Sequence, residues 1–241
     1  MDAARYLDLL RADSDRLLEV SRGRLGAPVP SCPGWTVDDL AEHVAYVYGH
    51  KVVCILEQRP PESWPPARPE GDVLDWLRGS RDRLVAEFES HRPGDPSYTP
   101  HAPDQTVGYW YRRMALETAV HRVDAELAAG TPSPVADDLA VDGVDEILDV
   151  FLSRDWSGDP QPGSAASVEL LTGGGAWEVA LLPDSVVCSP PTGRDVEATV
   201  EGAPSELLLW LWGRAPDSAV RVTGEPDAVR VLRDRLRLVT W

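Results

Sequence analysis

The chain has 241 residues, of which 43% are hydrophobic, enough for one large domain or two ordinary ones. Its formal net charge of −17 argues against binding to nucleic acid or to an anionic membrane, because both require clustered cations. The three cysteines, Cys32, Cys54 and Cys188, are odd in number and too far apart for a CxxC pair. This pattern favours a reducing cytoplasm over a disulfide framework.

Four amphipathic helices are predicted in the first half of the chain. Apolar residues at helical spacing mark the first helix, and the acids between them argue against a signal peptide. No window approaches the roughly 20 apolar residues of a membrane span. Thr36, followed three residues later by Asp39, forms a capping-box pattern at the start of the second helix. The helices are expected at 3–20, 37–58, 72–91 and 106–130.

The second half of the chain has a mixed pattern. Helices joined by short or moderate loops predict an up-down bundle, whose facing helices place polar side chains in a shared interior. The linker TPSPVADD ends this helical pattern near 131–134, and β-like runs around a Gly-Gly-Gly turn follow it. We therefore expect an α+β protein with two domains, a four-helix bundle at 1–132 and a small α/β domain at 135–241. Strands are predicted within 167–189, 196–202 and 219–224, and helices at 204–214 and 226–238.

Glu117 and His121 are candidates for metal binding on the fourth helix. They are four residues apart, so their side chains project from one face and can bind one ion. The same pair also occurs by chance on solvated helices. Trp110 and Met114 lie on or near this face and favour an interior position, where a carboxylate needs a partner.

His43 on the second helix is the candidate for a third ligand, and a core histidine bonded to a backbone carbonyl is the alternative. His50 follows two helical turns later, about 10 Å away, which is too far for both histidines to bind one ion. His91 and His101 lie in proline-rich, loop-like segments and receive no role.

Two segments carry a family resemblance. VPSCPGWTVDDLAEHVA at 29–45 and ETAVHRVDAELAAG at 117–130 closely resemble motifs of the mycothiol-dependent maleylpyruvate isomerase family. That family belongs to the DinB-like metal-binding helical bundles. The resemblance covers nearly the whole chain, because the isomerase group follows the bundle with a sterol-carrier-like α/β domain that ends in a pattern similar to LLLWLWGR.

The resemblance implies a zinc ion held by His43, Glu117 and His121. Asp124 also matches the family pattern and is expected to orient a ligand histidine or to pair with an arginine, a surface acid being the alternative. Arg214, in the GR motif, is expected to reach across the domain cleft and donate to a substrate carboxylate. Domain packing or a cation at a helix C-terminus is the alternative for Arg214.

A catalytic function is implied by the same resemblance. Three protein ligands leave zinc one open position, which a small thiol can occupy as a thiolate. Mycothiol would then add to an electrophile. With maleylpyruvate, addition makes the double bond single, rotation follows, and expulsion of the thiol leaves the trans isomer. With a halide or an epoxide the same first step gives an S-conjugate. The electrophile stays open, as does the choice between isomerase and S-transferase.

Two other classes of function are compatible with the sequence. One is a metal-dependent hydrolase that activates water, with His50 as the candidate general base. The other is a noncatalytic binding module whose C-terminal domain holds a lipid-like ligand among its tryptophans. Nickel, cobalt or iron can replace zinc in such a donor set. The protein is expected to be a cytoplasmic monomer or homodimer.

Overall fold

The computed structural model describes residues 1–161 and 165–240, and the chain divides into two compact units. The first unit is Met1–Ser133 and the second is Pro134–Trp241. Within the described residues, the first unit is helical and the second combines a mixed sheet with helices. The predicted α+β class, a helical bundle region followed by an α/β unit, is therefore confirmed.

Side-chain caps explain where the first three helices of the first unit begin. The Asp2 carboxylate accepts a hydrogen bond from the backbone N–H of Arg5, and Asp72 caps the third helix in the same way. Thr36 and Asp39 form the predicted reciprocal capping box. Each cap satisfies N–H groups that have no partner within the helix. The helices are α1 Ala3–Ser21, α2 Val37–Glu57, α3 Val73–Ser90 and α4 Val107–Ala129.

Helix α4 is buried over most of its length and packs against both α1 and α2. The Thr106 hydroxyl at its start donates to Asp104 instead of capping the helix. Gly130 ends α4 with a φ of 72°, a left-handed conformation that glycine adopts without strain from a Cβ atom. Because α4 is buried on more than one side, its polar side chains need partners inside the protein.

A buried network of ion pairs joins α1 to α4. Arg122 donates to Asp13 at 3.1 Å and to Glu126 at 2.8 Å, and both Arg122 and Glu126 are buried. Glu126 also accepts from Arg16 at 2.8 Å and from the backbone N–H of Ser133 at 2.9 Å. Burial by itself raises the pKa of Glu126, but the hydrogen bonds from these partners outweigh it and lower that pKa. Glu126 is therefore ionised and fully partnered at neutral pH.

Five strands are described in the second unit: β1 Ala166–Thr172, β2 Gly175–Leu181, β3 Val186–Ser189, β4 Ala198–Glu201 and β5 Arg221–Gly224. Their order is β3-β2-β1-β4-β5, in which β1 and β4 are parallel and the other neighbours antiparallel. The helical elements are α5 Asp137–Glu146, a π-helical turn Ile147–Leu152, α6 Pro204–Leu211 and α7 Pro226–Arg237. Among the described helices, we found none that combines the length and the apolar character needed to span a membrane.

Alternating side chains of the sheet form the core of the second unit. Val168 and Leu170 are fully buried, whereas their neighbours along β1 are partly exposed, as expected for a sheet covered on one face. Helix α7 packs against β1, β4 and β5 and contributes the buried Leu232. Gly224 has a φ of 90°, and a Cβ atom there would lie 2.2 Å from the carbonyl oxygen of Glu197. Only glycine fits at this contact.

Removal of Arg122 is expected to destabilise the first unit. Arg122→Met leaves the buried carboxylate of Glu126 with fewer donors, so the free energy of unfolding should fall by about 3–5 kcal/mol, as when one partner of a buried ion pair is lost. The double variant Arg122→Met/Glu126→Leu removes both charges and should lose less than the single variant. Arg78→Met, which removes an exposed ion pair with Asp75, is the matched control and should change stability little. Urea denaturation measures all three, and a double variant less stable than Arg122→Met would contradict the prediction.

Candidate metal centre

Helix α2 presents His43 from its second turn. The capping box at Thr36 determines where the helix begins and therefore where His43 projects. Trp35 immediately precedes the cap and packs against the His43 ring, with the ring centroids 5.0 Å apart. The Nε2 atom of His43 lies toward Glu117 on α4.

Three donor atoms converge between α2 and α4. Oε1 of Glu117 lies 3.2 Å from Nε2 of His43 and 3.2 Å from Nε2 of His121. The donor atoms of the three residues all lie within 4.8 Å of one another. Ligand atoms bonded at about 2.0–2.2 Å to a tetrahedral zinc ion are roughly 3.4 Å apart. Donor type and spacing therefore fit zinc, and the same nitrogen and oxygen donors also suit nickel, cobalt or iron.

The charge of Glu117 is divided between two sets of partners. Arg113, one helical turn earlier, forms an ion pair with Oε2, while Oε1 contacts the two histidines. Burial by itself raises the pKa of Glu117, but Arg113 and His121 outweigh burial and hold that pKa well below its ordinary value. Glu117 is therefore an ionised carboxylate, which is the form that binds metals.

His121 is oriented by a buried carboxylate. Its Nδ1 atom lies 2.9 Å from Oδ2 of Asp124, which is fully buried. Burial by itself lowers the pKa of His121, but Glu117 and Asp124 outweigh it and raise that pKa to about 9. A hydrogen bond from Nδ1 to a carboxylate leaves Nε2 for a metal. The contact expected for Asp124 is observed, and its role toward a metal stays a prediction.

The centre is open to solvent on the His43 side. The His43 side chain is 36% exposed, against 12% for Glu117 and 9% for His121. His43 is therefore the solvent-facing member of the three, and Glu117 and His121 lie deeper.

The proline-rich segment 59–71, between α2 and α3, contacts α2. Arg68 pairs with Glu42 at 2.7 Å, and the Tyr46 hydroxyl donates to the carbonyl of Pro66 at 2.9 Å. Trp64 packs edge-on against Tyr46, with ring centroids 5.9 Å apart. The segment is therefore held against the face of α2 that carries Glu42 and Tyr46.

Lys51, the only lysine of the chain, has no carboxylate within ion-pair distance in the described residues. Its Nζ atom lies 3.4 Å from Nδ1 of His50 and 4.8 Å from the centroid of the Trp110 ring. Burial lowers the pKa of Lys51, and the charge of Glu117 acts in the opposite direction. Together with Arg113, Lys51 adds positive charge beside the centre, which suits an anionic ligand.

Arg214 lies in the second unit, just after α6. Its Nη1 atom donates to the carbonyl of Trp212 at 2.7 Å, and its guanidinium lies 5.9 Å from the centroid of the Trp212 ring. A cation at this end of a helix interacts favourably with the helix dipole. The role of Arg214 toward a substrate carboxylate stays a prediction.

Ser31, Arg113 and Lys51 contact or flank the centre but were not predicted from the sequence. Arg113 is four residues before Glu117, a spacing at which opposite charges pair on a helix, so this signal was available. Lys51 is distinctive only as the single lysine. Ser31 donates to Asp124 across 93 residues of sequence, and no local pattern indicates such a contact.

Comparisons with known proteins point to one family. A family model described as the mycothiol maleylpyruvate isomerase N-terminal domain matches residues 7–126. Another, described as the MDMPI C-terminal domain, matches residues 138–230. The crystal structure of the mycothiol-dependent maleylpyruvate isomerase is 17% identical, with a TM-score of 0.63 over 95% of this chain and 96% of that chain. A mutant of that isomerase has 16% identity and a TM-score of 0.64 over the same shares of the two chains.

At this level of identity, the likeness to the solved structures shows a shared fold. A further solved structure, the UbiJ-SCP2 ubiquinone synthesis protein, covers 44% of this chain with a TM-score of 0.29, which is too low to support any argument. A search of curated proteins found no match.

Substitution of Asp124 is expected to weaken metal binding. Asp124→Asn keeps the size of the side chain but removes the charge that supports His121, so zinc affinity should fall about 10–100-fold. Competition with a chromophoric chelator measures the affinity. Asp82→Asn, at an exposed acid on α3, is the matched control and should bind zinc like the parent. Equal affinities for Asp124→Asn and the parent would contradict the prediction.

The environment of His50 predicts a pH-dependent contribution to stability. Burial, together with the charge of Lys51, lowers the pKa of His50 from 6.5 to about 4. Between these values the unfolded chain binds a proton that the folded protein does not, so stability present above pH 6.5 is lost as the pH falls toward 4. Urea titrations of the parent and of His50→Gln between pH 7 and pH 4 should diverge, with the parent losing more. Parallel pH profiles would show that His50 does not contribute.

Proposed function

The chain belongs to the mycothiol-dependent maleylpyruvate isomerase family, and from this premise we propose that it is a zinc-dependent enzyme that uses mycothiol. The enzyme would act on a small electrophile, either isomerising it or joining it to the thiol. The cytoplasm, where thiols stay reduced, is the proposed location.

The observation that carries this proposal is the position of one oxygen atom. Oε1 of Glu117 lies 3.2 Å from Nε2 of both His43 and His121, so the three residues already have the spacing of a zinc ligand set. Asp124 contacts His121 and Arg113 pairs with Glu117, whereas His43 faces solvent. This is the arrangement expected of a catalytic site, because a substrate must reach the metal.

A zinc ion held by three side chains keeps one position open and lowers the pKa of a thiol that binds there. The residues of the chain have separate tasks. His43, Glu117 and His121 would hold the ion. Arg113 and Lys51 would lower the cost of bringing an anionic thiolate into a partly buried site.

The cysteines of the chain itself are poor candidates for the nucleophile. Burial raises the pKa of Cys54 and of Cys188, which disfavours their thiolates at neutral pH. Cys32 is buried, with its sulfur 3.5 Å from the carboxylate of Asp124, which also disfavours a negative charge on sulfur. An external thiol is therefore the better nucleophile, in agreement with the mycothiol dependence of the family.

The proposed isomerisation requires no net change in oxidation state. The thiolate sulfur adds to one carbon of the substrate double bond, and the electron pair of that bond moves onto the conjugated carbonyl group. Rotation about the new single bond follows. The electron pair then returns, the carbon–sulfur bond breaks, and the double bond re-forms as trans with the thiolate released. Arg214 is proposed to bind a carboxylate of the substrate. If the substrate carries a leaving group instead of the double bond, the thiolate displaces that group, and the product is an S-conjugate.

The alternative of a hydrolase is less well supported. His50 was the candidate general base, and its pKa of about 4 makes it a weak base at neutral pH. A lipid-binding module is also less well supported. A cavity of about 700 Å³ in the second unit has Glu201, Glu206 and Arg221 in its walls, and charged walls do not suit a lipid-like ligand.

Metal analysis is the first test of the proposed function. Mass spectrometry of natively purified protein should find about one zinc ion per chain. His43→Ala and Glu117→Ala should lose the ion, because each removes one of three ligands. His91→Ala, at a histidine beside the Glu87 carbonyl after α3, is the matched control and should keep it. A parent protein that neither contains nor takes up zinc would contradict the proposed function.

Thiol binding is tested in the same material. Addition of mycothiol to the cobalt-substituted protein should produce the absorption typical of a cobalt–thiolate bond, and S-methyl mycothiol should not. If metal binds but mycothiol leaves the spectrum unchanged, the thiol-dependent reaction is wrong and a different use of the metal must be sought.

A further inference from the structure

Backbone hydrogen bonds hold the loop before α2 together. Val29 N–H donates to the carbonyl of Trp35 at 2.9 Å, Cys32 N–H to that of Val29 at 3.1 Å, and Trp35 N–H to that of Cys32 at 3.0 Å. Gly34 has a φ of 87°, which lets the chain turn back without strain. The loop leads directly into the cap at Thr36, so its side chains have positions fixed relative to α2.

Two side chains of this loop contact Asp124 on α4. The Ser31 hydroxyl donates a short hydrogen bond to Oδ1, and the sulfur of Cys32 lies 3.5 Å from Oδ2. Ser31 and Cys32 are buried, and Asp124 is fully buried. A carboxylate in such a place is costly unless hydrogen-bond donors satisfy its oxygens. The loop supplies two of the donors.

These contacts determine which way Asp124 faces. With Oδ1 held by Ser31, Oδ2 stays 2.9 Å from Nδ1 of His121. Nδ1–H then donates to Oδ2, and Nε2 stays 3.2 Å from Oε1 of Glu117. Without the Ser31 hydroxyl, Oδ1 loses this donor, and the carboxylate that faces the His121 ring is held less firmly.

The same loop also contacts the other histidine. The Trp35 ring packs against the ring of His43, with centroids 5.0 Å apart and planes inclined at 52°. His43 is the most exposed of the three candidate ligands, and its ring centroid also lies 4.9 Å from that of His121. One loop therefore touches one histidine directly and reaches the other through Asp124.

We infer that the loop 29–36 is a platform that positions both histidines, with Ser31 acting on His121 through Asp124 and Trp35 acting on His43 directly. Ser31 and Trp35 are positioning residues. For the metal, this inference rests on the proposed function, because it assigns the loop to the preorganisation of the same ligand set. A platform of this kind reduces the cost of ordering the ligands when an ion binds.

Zinc affinity of variants at Ser31 tests the platform. Ser31→Ala removes the hydroxyl and should weaken zinc binding about tenfold. This is the lower end of the loss expected when a residue that supports a metal ligand through hydrogen bonds is removed. Ser31→Cys keeps nearly the same size with a weaker donor and should be intermediate, which preserves the test if the alanine variant folds poorly. Ser90→Ala, at an exposed serine that ends α3, is the matched control and should bind zinc like the parent.

A direct measurement separates positioning from a general effect on folding. In metal-free protein, the Nδ1 proton of His121 should give a low-field NMR signal because Asp124 shields it from exchange with water. Ser31→Ala should broaden or shift that signal while the melting temperature of the metal-free protein changes little. A merely structural role would lower the melting temperature and leave the signal of the folded fraction in place.

The two proposals fail in different ways. Zinc affinity of Ser31→Ala equal to that of the parent would overturn the platform while leaving the metal site intact. A parent that binds no zinc would overturn the proposed function, and the NMR signal then decides the platform alone. In that case an unchanged His121 signal in Ser31→Ala would overturn the platform.

Discussion

Compensation of buried negative charge on α4 is the constraint on which the first unit depends. Glu117 is 12% exposed, and Asp124 and Glu126 are fully buried. A carboxylate in such a position is stable only if cations or hydrogen-bond donors surround it. Their partners come from α1, from α2, from the loop before α2, from α4 itself and from the segment after α4, and His121 is shared by Glu117 and Asp124. The partners are Arg113, His43 and His121 for Glu117, Ser31, Cys32 and His121 for Asp124, and Arg16, Arg122 and Ser133 for Glu126.

Helical spacing places these acids on two different sides of α4. Positions 117, 121 and 124 recur at intervals of four and three residues, so they share the face of α4 that meets α2 and the loop before it. Arg122 and Glu126 lie on a different side and join α4 to α1 and Ser133. The second set is fully satisfied by protein groups. The first set faces the partly exposed His43 of α2 and includes a carboxylate oxygen placed between two ring nitrogens, which is why a metal is proposed there and not at Glu126.

The surroundings of the three ligands, more than the ligands themselves, decide the substrate. A histidine–histidine–glutamate set supports several reactions, and a shared fold does not select among them. In this chain Arg113 pairs with Glu117, and the charge of Glu117 also acts on Lys51. Two nearby cations fit the anionic thiol of the proposed function.

Periodicity and capping chemistry, which act between neighbours in sequence, determined the four helices of the first unit, the capping box at Thr36 and the end of α4 at Gly130. Local spacing also placed Glu117 and His121 on one face, and the pattern of the second helix made His43 the candidate third ligand. The family resemblance implied all three as ligands and added Asp124. The contacts that complete the centre were decided only by tertiary structure. Ser31 meets Asp124 across 93 residues of sequence, and Lys51 becomes a partly buried cation only because α2 packs against α4. Sequence patterns report the period of a helix, whereas burial and long-range partners exist only after the helices have packed.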